Sequence, residues 1–402
     1  VRLQLPWFGR KSAPKTRSFD EIVRRIDGGI GAGNIYVSNE MALRVATVMA
    51  CAKVICDGVA TPELGVFRKR KDGGSEEARD EPVYRLLNRR PNEMQTSFEF
   101  RRTMTLHAVL TGNALAIKVE AGGRLRELIP VAPGRYSIEK ISRYDTIYRV
   151  SDEFGLVGNF TRDQVFHLPN WNWDWHKGLD AVQIAASAIG LAIAAESHQA
   201  SLSANGGRPA GILSTSEPLS PDVIANLKES WRAFSEGNRF GTAVLDKGMT
   251  YTQMSMTSVD QQHLETRRFQ VEEICRAFNV FPIMVGHSEN NTSFASSEAF
   301  FSAHEKHTLA PWRQLWSQRL DESVLDGAGP LHVRFDNRYM LAGSVRDRAQ
   351  WARTMTEMGI MTRNEMRQHE GLDPLPGLDE PLTPMNMDAG ETPEGEGDDE
   401  GA

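Results

Sequence analysis

"SVDQQHLETRRFQVEEICRAFNVFPIMVGHSENNTSFASSEAFF", residues 258–301, joins two helical stretches through a polar segment without periodicity. Ser258 followed three residues later by Gln261 predicts a capped helix over 259–280, which Pro282 ends. Leu264, Val271, Ile274, Cys275 and Phe278 recur on its core face, while Gln262, Glu265, Glu272, Glu273 and Arg276 gather on the other side. Phe269 projects among those charges, and an aromatic ring on a polar face points to a neighbouring chain. Asn, Ser and Thr crowd the segment 286–296, with Asn290, Asn291, Thr292, Ser293 and Phe294 at its centre and a Ser near 293–297 capping the next helix.

Beyond this segment, "SEAFFSAHEKHTLAPWRQLWSQRLDESVLDG" (297–327) is a long helix with Pro311 inside it. Proline removes an amide donor and clashes with the carbonyl four residues back, which predicts a kink near His307. "LHVRFD" (331–336) reads as a strand returning to an earlier sheet. Helices follow at about 343–358 and 363–370, the second capped by Thr362 and Glu365 and stopped by Gly371. Residues 373–402 carry ten acidic residues and no Lys or Arg, which predicts a disordered tail.

On the N-terminal side, residues 1–34 form a basic, Gly-rich arm, and 40–60 read as one helix. Thr96 with Glu99 predicts a capping box opening "SFEFRRTMTLHAVLT", which Gly112 closes. Short alternating runs between 114 and 169 predict a β-meander of about six strands. Trp171, Trp173 and Trp175 fall on alternate positions, one face of a strand, and are read as anchors packing one unit on another in preference to a stacking platform. The Ala-rich helix 179–204 follows. The helix 221–236 comes next, with an apolar stripe of Val223, Ile224, Leu227, Trp231 and Phe234 opposite Lys228, Glu229, Arg232 and Glu236. A hairpin turning at Asp246–Lys247–Gly248 completes a small α/β module over 206–256, set between two helices.

The whole is an α+β chain of 402 residues, 40% apolar and 25% charged, as in globular proteins. Its net charge of −7 is carried by the tail, so the remainder sums to +3 and offers no strong phosphate-binding patch outside the N-terminal arm. Cys51, Cys56 and Cys275 form no C-x-x-C and are expected to be buried thiols of a reducing compartment. With no signal peptide and no apolar run near the ~20 residues a bilayer needs, a soluble, intracellular chain is expected.

Tests for chemistry find little. No P-loop is present, Ser288 beside His287 is not triad geometry, and no G-x-S-x-G occurs. His304 and His307 in "HEKH" sit one residue closer than a zincin pair, so a surface His pair is preferred to a metal-dependent hydrolase. No enzyme, cofactor or metal is expected.

Seven ordered blocks resemble the portal proteins of long-tailed bacteriophages and gene transfer agents. They are "RRPNEMQTSFEF", "LTGNA", "GGRPAGILS", "VLDKGM", 258–286, "SSEAFFSAHEKHTLAPW" and "MGIMTRNEMRQHEGL", spread over 36–380. The resemblance implies a portal fold: a wing (35–178, with the kinked helix and returning strand of 297–339), stem helices at 179–205 and 257–280, a clip (206–256), a tunnel loop (281–296) and a crown (340–372). It also implies a twelve-subunit ring at one capsid vertex of the virion, assembled in the host cytoplasm. That ring would contact the major capsid protein, the terminase large subunit, a head–tail connector and passing double-stranded DNA. On it, Gln262, Glu265, Glu272 and Arg276 would line the channel, Lys228, Glu229, Arg232, Glu236 and Lys247 would meet clip partners, and Phe269 would meet the next subunit. Leu115 and Ser296 stand where the family often has Tyr and Asn. A non-pore adaptor of the same fold is the alternative.

Overall fold

The computed structural model describes residues 37–383, apart from 72, 152–154, 205–210, 215–219, 228, 230–249, 254–257, 288–293, 326, 328 and 337–344. The expected helix over 40–60 is two: α1 (Asn39–Arg44), capped by the Ser38 hydroxyl, and α2 (Ala46–Ala60). Val45 between them is extended and buried; its branched Cβ is stiff in a helix and here serves the core instead. Val48, Cys51, Ala52, Ile55, Cys56 and Val59 bury the face of α2 that packs on α4 (Ser97–Thr111). Thr96 and Glu99 form the expected capping box, with Glu99 N donating to the Thr96 hydroxyl and Thr96 N donating to the Glu99 carboxylate. The short α3 (Pro82–Asn88) starts on its proline.

Two small sheets replace the single meander. β3 (Asn113–Ala121) lies between β4 (Arg124–Val131) and β8 (Val165–Pro169), whereas β5 (Tyr136–Lys140), β6 (Thr146–Ser151) and β7 (Val157–Phe160) form a second sheet. Leu115, Ile117, Val131, Tyr148, Val150 and Val165 make a secondary core between them. β11 (Leu331–Phe335) does return, but it pairs antiparallel with β1 (Leu64–Lys69), Val333 opposite Val66. β2 (Ser75–Glu77) completes that third sheet.

Gly112 turns the chain out of α4 at φ 75°, and a Cβ on it would lie 2.2 Å from the Leu179 carbonyl oxygen. Only glycine fits such a turn against another backbone. Asn113, buried, locks that crossing: its amide donates to Gly178 O at 3.0 Å, and its carbonyl oxygen accepts from Gly178 N at 2.7 Å. The "LTGNA" block is thus the clamp from which the next helices leave. These are α5 (Ala181–Ile184) and α6 (Ala186–Ala204), separated at Ala185 where a single helix was expected. α6 packs along α7 (Ser258–Ala277). Between them β9 (Gly211–Ser214) pairs with β10 (Thr250–Gln253), and residues 221–227 are helical.

The long helix consists of α8 (Phe294–His304), a π-turn (Glu305–Leu309) and α9 (Ala310–Ser323). Trp316 of α9 is fully buried against Phe100 and Phe166, with ring centroids at 6.3 and 5.4 Å, and its indole N–H donates to Thr105. α10 (Val345–Glu357) and α11 (Arg363–His369) follow, the latter with the expected Thr362–Glu365 box. The tail departs from expectation at its start: Asn364 donates to Leu375 O and Asp379 Oδ1, both at 2.8 Å, and accepts from Leu375 N, so the chain after Gly371 folds back on α11.

Candidate functional site

The candidate site is the exposed side of α7 together with the turn that follows it. Ile274 and Cys275 are buried toward α2, and Gln270 is buried beside the charged face where no buried residue was expected. Opposite, Glu265 is exposed and Phe269 is 56% exposed, with the Arg276 guanidinium 5.7 Å from its ring centroid. Arg276 also pairs with Glu272 at 3.5 Å and with Glu273. The structure thus brings together Phe269, Glu272 and Arg276, three residues singled out from sequence. Arg267 and Arg268, not singled out, are exposed there as well, so residues 265–276 carry three acids and three bases. Such a face is wet and nearly neutral. The side chain of Gln262 is not among those described, and on the neighbouring helices α5 and α6 Ile184 and Leu191 are also exposed.

α7 ends in a left-handed residue, Asn279, at φ 53°. Val280 N donates to Cys275 O at 2.9 Å and Asn279 N to Arg276 O at 3.2 Å, the pattern of a Schellman cap with Asn in the glycine place. The Asn279 amide then donates to His307 O at 3.0 Å, and the Thr308 hydroxyl donates back to Asn279 O at 2.6 Å. Pro311 has no N–H to offer His307 O, so Asn279 satisfies the carbonyl that the proline disturbs. The end of α7 is thereby tied to the π-turn that follows α8.

A buried ion pair holds the π-turn from behind. Arg313 Nη2 lies 3.0 Å from Glu305 Oε2 and donates to Gly58 O at 3.0 Å, and a second Arg313 nitrogen reaches Glu305 Oε1. Gly58 also lets α2 approach the π-turn closely: a Cβ there would lie 2.6 Å from Leu309 Cδ1. None of Asn279, Glu305 or Arg313 was marked from sequence. Asn after a helix is a left-handed cap signal, but two residues eight apart across a π-turn leave none.

His304 and His307 are not a surface pair. His304 is 5% exposed and packs edge-on against Phe281, and burial pushes its pKa down, whereas His307 is exposed. Among the described residues no three His, Cys, Asp or Glu gather to hold a metal. Trp171, Trp173 and Trp175, expected to pack as anchors, are instead 82, 71 and 59% exposed, on a loop whose bridge joins Asn172 to Gly178. Trp175 sits at φ 55°, uncommon for a bulky side chain, and its indole donates to His176 Nε2 at 2.8 Å. With Tyr144, Arg143 and Arg319 it borders a cleft of about 530 Å³. Asn290, Asn291, Thr292 and Ser293 lie outside the described residues, and Phe294 opens α8. So do Lys228, Arg232, Glu236, Lys247 and the hairpin turn; Glu229 is exposed, and so are Val223 and Ile224 of the expected apolar stripe.

A family model described as phage portal protein matches residues 46–371. The chain belongs to the phage portal protein family. The portal protein of Enterobacteria phage HK97 is 28% identical over 354 residues, covering 86% of this chain and 83% of its own length. The probable portal protein of Streptomyces phage phiC31 is 27% identical over 392 residues, covering 91% and 84%. Among solved structures, the neck of an empty gene transfer agent particle, computed with C6 symmetry, superposes with a TM-score of 0.61 at 23% identity over 82% of this chain and 90% of that one. The neck of a native gene transfer agent particle, computed with C12 symmetry, gives 0.59 at 21% identity over 88% and 98%. The α+β portal fold expected from the sequence is therefore the one observed, and family membership gives the chain a structural role. No helix among the described residues is long and apolar enough to cross a membrane.

Proposed function

We propose that this portal chain is the subunit of a closed, twelve-membered ring at one capsid vertex of a phage or gene transfer agent particle. Double-stranded DNA enters through the ring during terminase-driven packaging and leaves through it on ejection. The wing meets the major capsid protein, and the clip, with Lys228, Glu229, Arg232, Glu236 and Lys247, meets the terminase and later the head–tail connector. The observation that carries this reading is the α7 face, with Phe269 left bare among paired charges in a chain whose family is that of portals. A ring neighbour covers such a residue by a heterologous contact repeated around the axis. The twelvefold symmetry of the native gene transfer agent neck supports the copy number.

The same face suits a channel wall. Glu265, Glu272 and Glu273 offset Arg267, Arg268 and Arg276, so DNA phosphates meet no net basic stripe that would hold them. The loop 281–296, which starts two residues after Asn279 and runs into α8, carries Asn290, Asn291, Thr292, Ser293 and Phe294 toward the narrowest part. Removing the gene from a producing cell tests this function: particles should form without DNA and without attached tails, and restoring the chain should restore both. DNA-filled, tailed particles in its absence would overturn the proposal.

A further inference from the structure

Cys51 of α2 and Cys275 of α7 bring their sulfurs to 3.8 Å from opposite sides of the wing–stem contact, both side chains fully buried. Cys275 lies one helical turn before Asn279, and its carbonyl caps the stem helix by accepting from Val280 N. Cys51 lies in the middle of α2, the helix around which the wing core is built. We infer that Cys51 and Cys275 are a thiol pair that a peroxide-class oxidant converts to a disulfide, tying the stem helix covalently to the wing.

A disulfide needs its sulfurs about 2.05 Å apart. The sulfurs must therefore close by about 1.8 Å. The pair is also polarised: the hydrogen bond the two sulfurs share lowers the Cys275 thiol pKa, while that bond and burial raise the pKa of Cys51. Cys275 is therefore the sulfur that ionises first. Its thiolate attacks hydrogen peroxide: an S–O bond forms, the O–O bond breaks, and hydroxide leaves. The Cys51 sulfur, giving up its proton, then attacks the resulting sulfenic acid; the S–S bond forms, the S–O bond breaks, and a second hydroxide leaves. The two thiol protons convert both hydroxides to water, and peroxide takes up the two electrons the thiols lose. Because both sulfurs are buried, the reaction runs through local opening of the α2–α7 contact and is slow compared with that of an exposed thiol.

Cys56 is an internal control, since burial holds its thiol up at about 12 and it lies on another side of α2. The pairing does not depend on the portal reading. Its consequence does: once tied, the end of α7, and with it Asn279 and the loop base, is fixed to the wing.

The test uses the full chain, exposed to millimolar hydrogen peroxide at a temperature just below its melting transition and then analysed without reductant. The expected result is a loss of about 2 Da, a cross-linked peptide joining Cys51 to Cys275, Cys56 still free to alkylate, reversal by dithiothreitol, and a melting midpoint raised by a few degrees. Cys51→Ser should abolish the mass loss. Unchanged thiols after that exposure, or a gain of oxygen at Cys275 without the cross-link, would overturn the inference. Neither result bears on ring formation, so the portal reading stands or falls separately.

Discussion

The side-chain amide of Asn279 donates to the carbonyl oxygen of His307 at 3.0 Å, joining the end of α7 to a carbonyl that Pro311, lacking an N–H, cannot serve. This bond and its companion from Thr308 make the two ends of the intervening segment move as one. Asn279→Gly keeps the left-handed backbone and removes only the amide. Stability should fall by about 1 kcal/mol, and amide hydrogen exchange at residues 278–287 and 305–309 should quicken roughly fivefold. Unchanged exchange at both sites would show that the bond couples nothing.

The Glu305–Arg313 pair is buried on both sides, at 12% and 3% side-chain exposure. Removing one partner strands the other, so Arg313→Met or Glu305→Gln should each cost about 3–5 kcal/mol in urea unfolding. The double variant Glu305→Leu/Arg313→Met should lose less than the two single losses added together. A single loss below about 1 kcal/mol would mean that water reaches the pair.

His167 donates through Nε2 to Asn113 Oδ1 and accepts at Nδ1 from the Tyr148 hydroxyl, both at 3.1 Å. Burial, aided by the charges of Arg319 and Arg162, pushes its pKa down to about 3. The native ring thus stays neutral while the unfolded chain takes up a proton below the ordinary value of 6.5. This group leaves stability untouched above that pH and lowers it progressively as pH falls from 6.5 toward 3, by at most about 1.4 kcal/mol per pH unit. His107, pushed down to about 4 by burial, acts in the same sense. His167→Gln should flatten the fall in urea midpoint between pH 7 and 5 without removing it. An unaltered slope would contradict the assignment.

Much of this architecture is legible in the sequence because it is local. The Thr96–Glu99 and Thr362–Glu365 boxes and the Gly112 stop are each written within a few residues. Pro311 announces a kink, but not that a π-turn would absorb it, because which carbonyl is rescued depends on Asn279, 28 positions away. The breaks at Val45 and Ala185 are settled by tertiary burial overriding helical periodicity. β11 chooses β1 over the six-stranded region because its partner is fixed by long-range packing, on which alternation is silent. The tryptophans mislead for the same reason: their spacing of two is that of a strand, yet a left-handed Trp175 and the His176 contact bend the chain into a loop. The acidic tail begins later than composition suggests, because Asn364 captures residues 375–379 first.

The polar loop should contact DNA without gripping it, since Asn, Ser and Thr offer hydrogen bonds to phosphate and no charge. Changing Asn290, Asn291 and Ser293 to Lys should leave assembly intact and slow or stall packaging at low salt, with recovery as ionic strength rises. The measurement is DNA per particle across salt concentration. Full packaging by the triple-Lys variant at low salt would place the loop away from the DNA.

The ring itself is tested most directly by native mass measurement of the purified chain at micromolar concentration, with and without capsid components, for the wild type and for Phe269→Glu. Twelve copies of 44.8 kDa give about 540 kDa, and a closed ring of that mass, or of a neighbouring copy number in isolation, is the expected result. Because Phe269 is exposed in the single chain, Phe269→Glu should change monomer stability by no more than about 0.5 kcal/mol while abolishing the ring. A wild-type chain that stays at 44.8 kDa under every one of these conditions would contradict the account.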